Sequence, residues 1–154
     1  MTSSPLSAIK SAWSASIEMF GPMPAGLGID VVETQALARL IASGGDSFVD
    51  RVWTSREQND AQGSVERLAA RWAAKEAVMK ALRRGLGDLE PCDIEILTED
   101  DGSPRVVLHG HAQKAASERG LEGWSISMCH EEGWAVSIVI VNSGPDRTST
   151  ALKA

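Results

Sequence analysis

Apolar positions change period several times along this chain, and each change marks an element. Leu6, Ile9, Trp13, Ile17 and Phe20 recur every three or four residues, which puts them on one helical stripe. Ser4-Pro5 before them reads as an N-cap with proline at the first helical position, and Gly21-Pro22-Met23-Pro24 ends the helix. Alternation follows in Leu27-Gly28-Ile29-Asp30-Val31-Val32-Glu33. It predicts a strand with Leu27, Ile29 and Val31 on one face and Asp30 on the other, beside Gly28 and Val32. A short helix is expected over 34–42, closed by Ser43-Gly44-Gly45, and a loop over 59–63.

The strongest helical signal covers 64–84, with Ser64 as N-cap and Gly85 as the stop. At 100° per residue, Leu68, Trp72, Met79 and Leu82 share an arc of about 80°. The last third returns to strands. Segments 93–98 and 105–109 form a hairpin across Gly102-Ser103-Pro104, and a helix over 112–119 stops at Gly120. Strands over 124–129 and 134–141 bracket His130-Glu131-Glu132-Gly133. The pattern predicts an α+β fold, a small antiparallel sheet packed around one long central helix. Residues 1–24 form a helical extension, 25–142 the folded domain, and 143–154 a polar, disordered tail.

Composition narrows the classes. The chain has 154 residues, 43% of them hydrophobic, enough for one self-sufficient core. No apolar run approaches the ~20 residues of a membrane span, so no membrane is expected. The first twenty residues hold no Arg and include Glu18, unlike a transit peptide, and Lys10-Ser11 interrupts any signal-peptide core. Cys92 and Cys129 belong to no CxxC pattern, which fits a reduced, cytoplasmic protein. The net charge of −6 argues against nucleic acid as partner. Residues 48–84 run the other way, with eight basic side chains against five acidic. A small anionic ligand or a locally acidic partner is compatible with that stretch.

Candidate chemistry centres on the long helix. Lys75 falls in the middle of the apolar arc, where an ammonium is rarely left unpaired; it either snorkels to water or meets an anion in a pocket. Glu76 and Lys80 flank the arc, at the spacing of an ordinary helix-stabilising pair. Asp30 alone reads equally as a turn residue. Asp30 and Glu76 together would suit Mg²⁺, which takes one or two carboxylates with water and phosphate oxygens. His130 falls at an expected hairpin tip. A metal site built from His109, His111 and Cys129 matches no zinc spacing.

Gly28-Ile29-Asp30-Val31-Val32-Glu33 resembles the opening signature of the holo-acyl-carrier-protein synthases, small members of the phosphopantetheinyl transferase superfamily. Arg71-Trp72-Ala73-Ala74-Lys75-Glu76-Ala77-Val78-Met79-Lys80-Ala81 is similar to that family's central helix. Phe48-Val49-Asp50-Arg51-Val52-Trp53-Thr54-Ser55-Arg56-Glu57 resembles its intervening segment. Asp93-Ile94-Glu95-Ile96, Gly102-Ser103-Pro104 and Ser127-Met128-Cys129-His130 match later motifs in order, from about residue 26 to 141.

The resemblance implies transfer of 4′-phosphopantetheine from coenzyme A to a serine of an apo-acyl carrier protein. By the same resemblance, Asp30 and Glu76 would hold Mg²⁺. Lys80 would neutralise phosphate charge or help deprotonate the serine. Arg71, Lys75 and His130 would bind coenzyme A phosphates, and a homotrimer would carry its sites between subunits. The chain departs from the family at Ala36, where an arginine that docks the acidic carrier is usual, and at Cys129, where serine is usual. Both bear on carrier docking more than on the coenzyme site. A non-catalytic trimeric module that binds coenzyme A or a nucleotide is the alternative.

Overall fold

The computed structural model describes residues 24–144, so the expected helix bearing Leu6, Ile9, Trp13 and Ile17, and the expected tail beyond 144, lie outside the described residues. Element order is β1 (Pro24–Glu33), α1 (Thr34–Val52), α2 (Ser55–Ala61), α3 (Val65–Leu82), β2 (Ile94–Thr98), β3 (Pro104–Leu108), α4 (Gly110–Glu118), β4 (Leu121–Glu131) and β5 (Trp134–Ser143). The strands form an antiparallel sheet in the order β1-β5-β4 and a separate β2-β3 hairpin. This is the α+β arrangement expected, with α3 at its centre.

The expectation for α3 was one buried arc, and the structure buries two. Leu68, Val78, Met79 and Leu82 fill the first. On the opposite side Ala73, Ala77 and Ala81 are 0–1% exposed and lie on the sheet. That approach is possible because β1 offers glycine there: a Cβ at Gly28 would sit 1.8 Å from the Ala77 carbonyl oxygen, and one at Gly26 2.8 Å from that of Ala81. Alanine carries too little hydropathy to mark such a face in the sequence.

Other boundaries shift for identifiable reasons. The glycine pair expected to close the short helix kinks it instead, at Gly45 (φ 60°, ψ −160°), and α1 continues to Val52. The loop expected over 59–63 is helical as far as Ala61, because Thr54 and Glu57 form a reciprocal capping box that starts α2. Arg83, not Gly85, ends α3: it holds the left-handed conformation (φ 54°), and Arg84 N–H returns to Met79 O at 2.9 Å. In the last hairpin only Glu132 and Gly133 form the turn, both at positive φ. His130 thus belongs to strand β4 rather than to a hairpin tip.

Strand β1 shows its predicted faces, but the apolar one looks outward. Leu27, Ile29 and Val31 are 59%, 54% and 53% exposed, whereas Gly28 and Asp30 face α3. Trp134 and Ile138 on β5 extend this exposed apolar surface.

Candidate active site

Asp30 pairs across the sheet with Ser137 and points at the flank of α3 that carries Glu76 and Lys80. Lys80 Nζ donates to Asp30 Oδ1 at 2.7 Å and to Ile29 O at 2.8 Å. The Glu76 carboxyl is held above its ordinary range, first by burial and then by the adjacent Asp30, with which it shares a hydrogen bond; Lys80 opposes this. Asp30 on β1 thus forms one cluster with Glu76 and Lys80 on α3, Lys80 lying fifty residues further along the chain.

The cluster fits the ion the sequence suggested. Two carboxylates crowd one another, and among the described residues one ammonium, that of Lys80, offsets them. Among the described residues no further His, Cys, Asp or Glu joins them into a larger group. An all-oxygen pair of this kind suits Mg²⁺, whose other ligands are water and phosphate oxygens, and does not suit zinc.

The opposite flank of α3 is basic. A cleft of about 570 Å³ opens there between α3, the β2-β3 turn and the end of β4, lined by Asn59, Arg67, Arg71, Thr98, Gly102 and His130 among others. Arg71 spans its floor. It donates from Nε to Ile96 O at 3.3 Å, from Nη1 to Arg67 O at 3.3 Å and from Nη2 to the Thr98 hydroxyl at 2.8 Å, with Asp60 at 3.6 Å. Burial lowers its pKa, and Asp60 and Glu57 oppose that. His130 and Cys129 complete the wall, both exposed. On the helix, Arg71 and Glu76 are five residues and so about 140° apart. Within one chain, then, Arg71 and His130 face one flank of α3 and the acidic cluster faces the other, with strand β5 between His130 and Asp30.

Lys75 meets an anion in the interior, one of the two alternatives the sequence left open, but that anion is Glu57 and not the coenzyme phosphate that the resemblance implied. Its ammonium is 0% exposed and all three of its donors are used: Glu57 Oε2 at 2.7 Å, Ile94 O at 2.6 Å and Pro91 O at 2.9 Å. Burial pulls its pKa down, against the pull of Glu57. No donor remains for a coenzyme phosphate. Glu57, which had no assigned role, uses its other oxygen to accept from Ile96 N–H at 3.0 Å, and Oε2 also accepts from Thr54 N–H at 2.9 Å. The pair ties α2, α3 and β2 together. The T-x-x-E capping pattern in the sequence is the signal that marks Glu57. Arg67, Asn59 and Thr98 had no comparable signal.

The α+β body thus carries a carboxylate pair and a separate cationic cleft on two flanks of one helix. The chain's family follows from comparison with known proteins. A family model described as the 4′-phosphopantetheinyl transferase superfamily matches residues 26–139. A holo-[acyl-carrier-protein] synthase of Herpetosiphon aurantiacus is 38% identical over 120 residues, covering 73% of this chain and 94% of that protein. The crystal structure of the synthase from Neisseria meningitidis superposes with a TM-score of 0.71 at 31% identity, covering 79% of this chain and all of that one. The Helicobacter pylori synthase, solved in complex with coenzyme A, gives 0.69 at 25% identity, covering 75% and 99%. The chain belongs to the 4′-phosphopantetheinyl transferase superfamily, as a phosphopantetheinyl transferase of the holo-acyl-carrier-protein synthase type.

Proposed function

We propose that this enzyme transfers 4′-phosphopantetheine from coenzyme A to a serine of an apo-acyl carrier protein in a Mg²⁺-dependent reaction, in the cytoplasm and as a homotrimer. Transfer from coenzyme A to an apo-carrier is the reaction its family implies. The observation that carries the finer reading is the convergence of Asp30, Glu76 and Lys80, with Lys80 Nζ 2.7 Å from Asp30 Oδ1.

Asp30 and Glu76 would hold Mg²⁺, which when bound neutralises diphosphate charge and makes the bisphosphorylated adenosine a better leaving group. The serine oxygen gives up its proton to water and bonds to the pantetheine-side phosphorus, while the bond from that phosphorus to the bridging oxygen breaks and that oxygen leaves on the bisphosphorylated adenosine. Such transfers depend on charge neutralisation and in-line positioning rather than on a covalent enzyme intermediate. Lys80, already a donor to Asp30, extends a half-exposed ammonium toward the phosphates. Arg71 and His130 bind the phosphate groups at the nucleotide end, in the basic cleft.

Two features support subunit sharing. The acidic and basic flanks lie on opposite sides of α3 in one chain, so a single extended substrate meets both only where two copies adjoin. The outward apolar face of Leu27, Ile29 and Val31 supplies a surface for that contact. Incubation of purified apo-acyl carrier protein with this protein, coenzyme A and MgCl₂ tests the proposal by mass spectrometry. A gain of one phosphopantetheine that disappears with EDTA is expected. Binding of coenzyme A without transfer to any carrier would overturn it in favour of a binding module.

A further inference from the structure

Strand β2 pairs with β3 along one edge, and the backbone groups it turns out from the other edge need partners. Side chains of α2 and α3 supply them in alternation. Lys75 Nζ donates to Ile94 O, and Glu57 Oε1 accepts from Ile96 N–H. Arg71 Nε then donates to Ile96 O, and Asp60 Oδ2 accepts from Thr98 N–H at 3.0 Å. Helical spacing makes this possible: Glu57 and Asp60 are one turn apart on α2, as Arg71 and Lys75 are on α3. The strand edge therefore carries the pair Glu57–Lys75 and, beside it, the pair Asp60–Arg71.

The pairs differ in what they leave free. Glu57–Lys75 is sealed, and its ammonium spends every donor on the protein. Asp60–Arg71 opens on the basic cleft. Arg71 is 3% exposed, and among the described residues Nε and one N–H of each Nη go to protein oxygens. That leaves a second N–H on each Nη. Asp60 lies 3.6 Å from Nη2, too far for a hydrogen bond. It is also the one carboxylate among the described residues that line the cleft, where it opposes a phosphate. Its contacts explain its presence. Asp60 fixes the Thr98 backbone, and the Thr98 hydroxyl accepts from Arg71 Nη2 at 2.8 Å, which sets the plane of the guanidinium.

Resting on the transferase reading above, the geometry points to Asp60 as a positioning residue for coenzyme A: by accepting from Thr98 N–H it holds Thr98 against Arg71 and so aims the remaining guanidinium N–H groups at the phosphates. A guanidinium this buried has no room to swing toward a ligand, so its orientation is set before binding. Asp60 acts as a hydrogen-bond acceptor, and its negative charge works against the ligand. The two properties are separable, because an amide oxygen at position 60 can accept the same hydrogen bond without the charge.

Asp60→Asn and Asp60→Ala test this side by side. The asparagine variant should show a KM for coenzyme A equal to that of the parent or lower. The alanine variant should raise that KM about tenfold, with kcat and the carrier KM unchanged. Calorimetry with adenosine 3′,5′-bisphosphate should show the same loss of affinity. Thr98→Val, which keeps the backbone N–H and removes the hydroxyl, should match Asp60→Ala, and combining the two should cost no more than either. An Asp60→Ala protein that melts lower but keeps both coenzyme readouts would overturn the positioning role and leave a purely structural one. Equal losses in the asparagine and alanine variants would overturn it too, by assigning the effect to charge. A parent that binds the bisphosphate but modifies no carrier would remove the transferase reading, while calorimetry would still decide for or against Asp60.

Discussion

Lys75 Nζ lies 2.7 Å from Glu57 Oε2, and neither side chain reaches solvent. A charge pair sealed this way rarely improves on apolar packing, but losing one partner strands the other in the core. Glu57→Ala should therefore destabilise the protein by about 3–5 kcal/mol, read from urea melts. The paired replacement Glu57→Leu, Lys75→Met should recover only part of that loss, because Ile96 N–H, Thr54 N–H and Ile94 O lose their partners. A Glu57→Ala protein as stable as its parent would show that the pair carries no structural weight.

The carboxylates of the acidic cluster make an opposite prediction. Burial and then the neighbouring Asp30 raise the pKa of Glu76, so Glu76→Gln removes a repulsion rather than a support. In EDTA its melting temperature should equal or exceed that of the parent, while transfer falls by at least about 10²-fold. Added Mg²⁺ should raise the melting temperature of the parent and not that of the variant. Equal stabilisation of both by Mg²⁺ would displace the ion from this pair.

Gly28 sets how closely β1 approaches α3. A Cβ there would meet the Ala77 carbonyl oxygen at 1.8 Å, against backbone that cannot rotate away. Gly28→Ala should cost about 3 kcal/mol or more and move Asp30 away from Glu76. Thermal melts and transfer assays on the same preparation would separate the two effects. A variant retaining both full stability and full turnover would contradict the geometry.

Acid stability should depend on Glu95. Burial opposes its ionisation, but hydrogen bonds from Thr54 and His109 and the nearby charges of Arg56 and His109 outweigh that and hold its pKa below 4.5. A carboxylate with a depressed native pKa contributes stability that is complete above its unfolded value. That contribution is lost as pH falls from about 4.5 through the depressed one. Glu95→Gln should lower stability at neutral pH and flatten the acid limb of a stability–pH curve. An acid limb as steep as that of the parent would assign the effect elsewhere.

How much of this was legible beforehand varies with the kind of signal. Asp30 was readable because a strand alternates faces, and its side chain does point away from Leu27, Ile29 and Val31. Which face is inner was not readable, since alternation says nothing of what covers a strand; the apolar face proved to be the outer one. The helix α3 was clear from Leu68, Met79 and Leu82, whereas Ala73, Ala77 and Ala81 hid the second buried arc. Lys75 was rightly marked as anomalous, but its partner Glu57 lies eighteen residues away on another helix, and only folding brings them together. Arg83 ended α3 two residues early because a left-handed arginine is the choice that residue preferences argue against.

The two flanks of α3 carry a genetic consequence. If each working centre borrows Asp30 from one copy and His130 from the next, Asp30→Asn and His130→Ala preparations are each inert alone. Unfolded together and refolded as a mixture, they should regain turnover, because some assemblies then contain a junction with neither lesion. Complementation between two dead alleles would make a single polypeptide half of a catalyst.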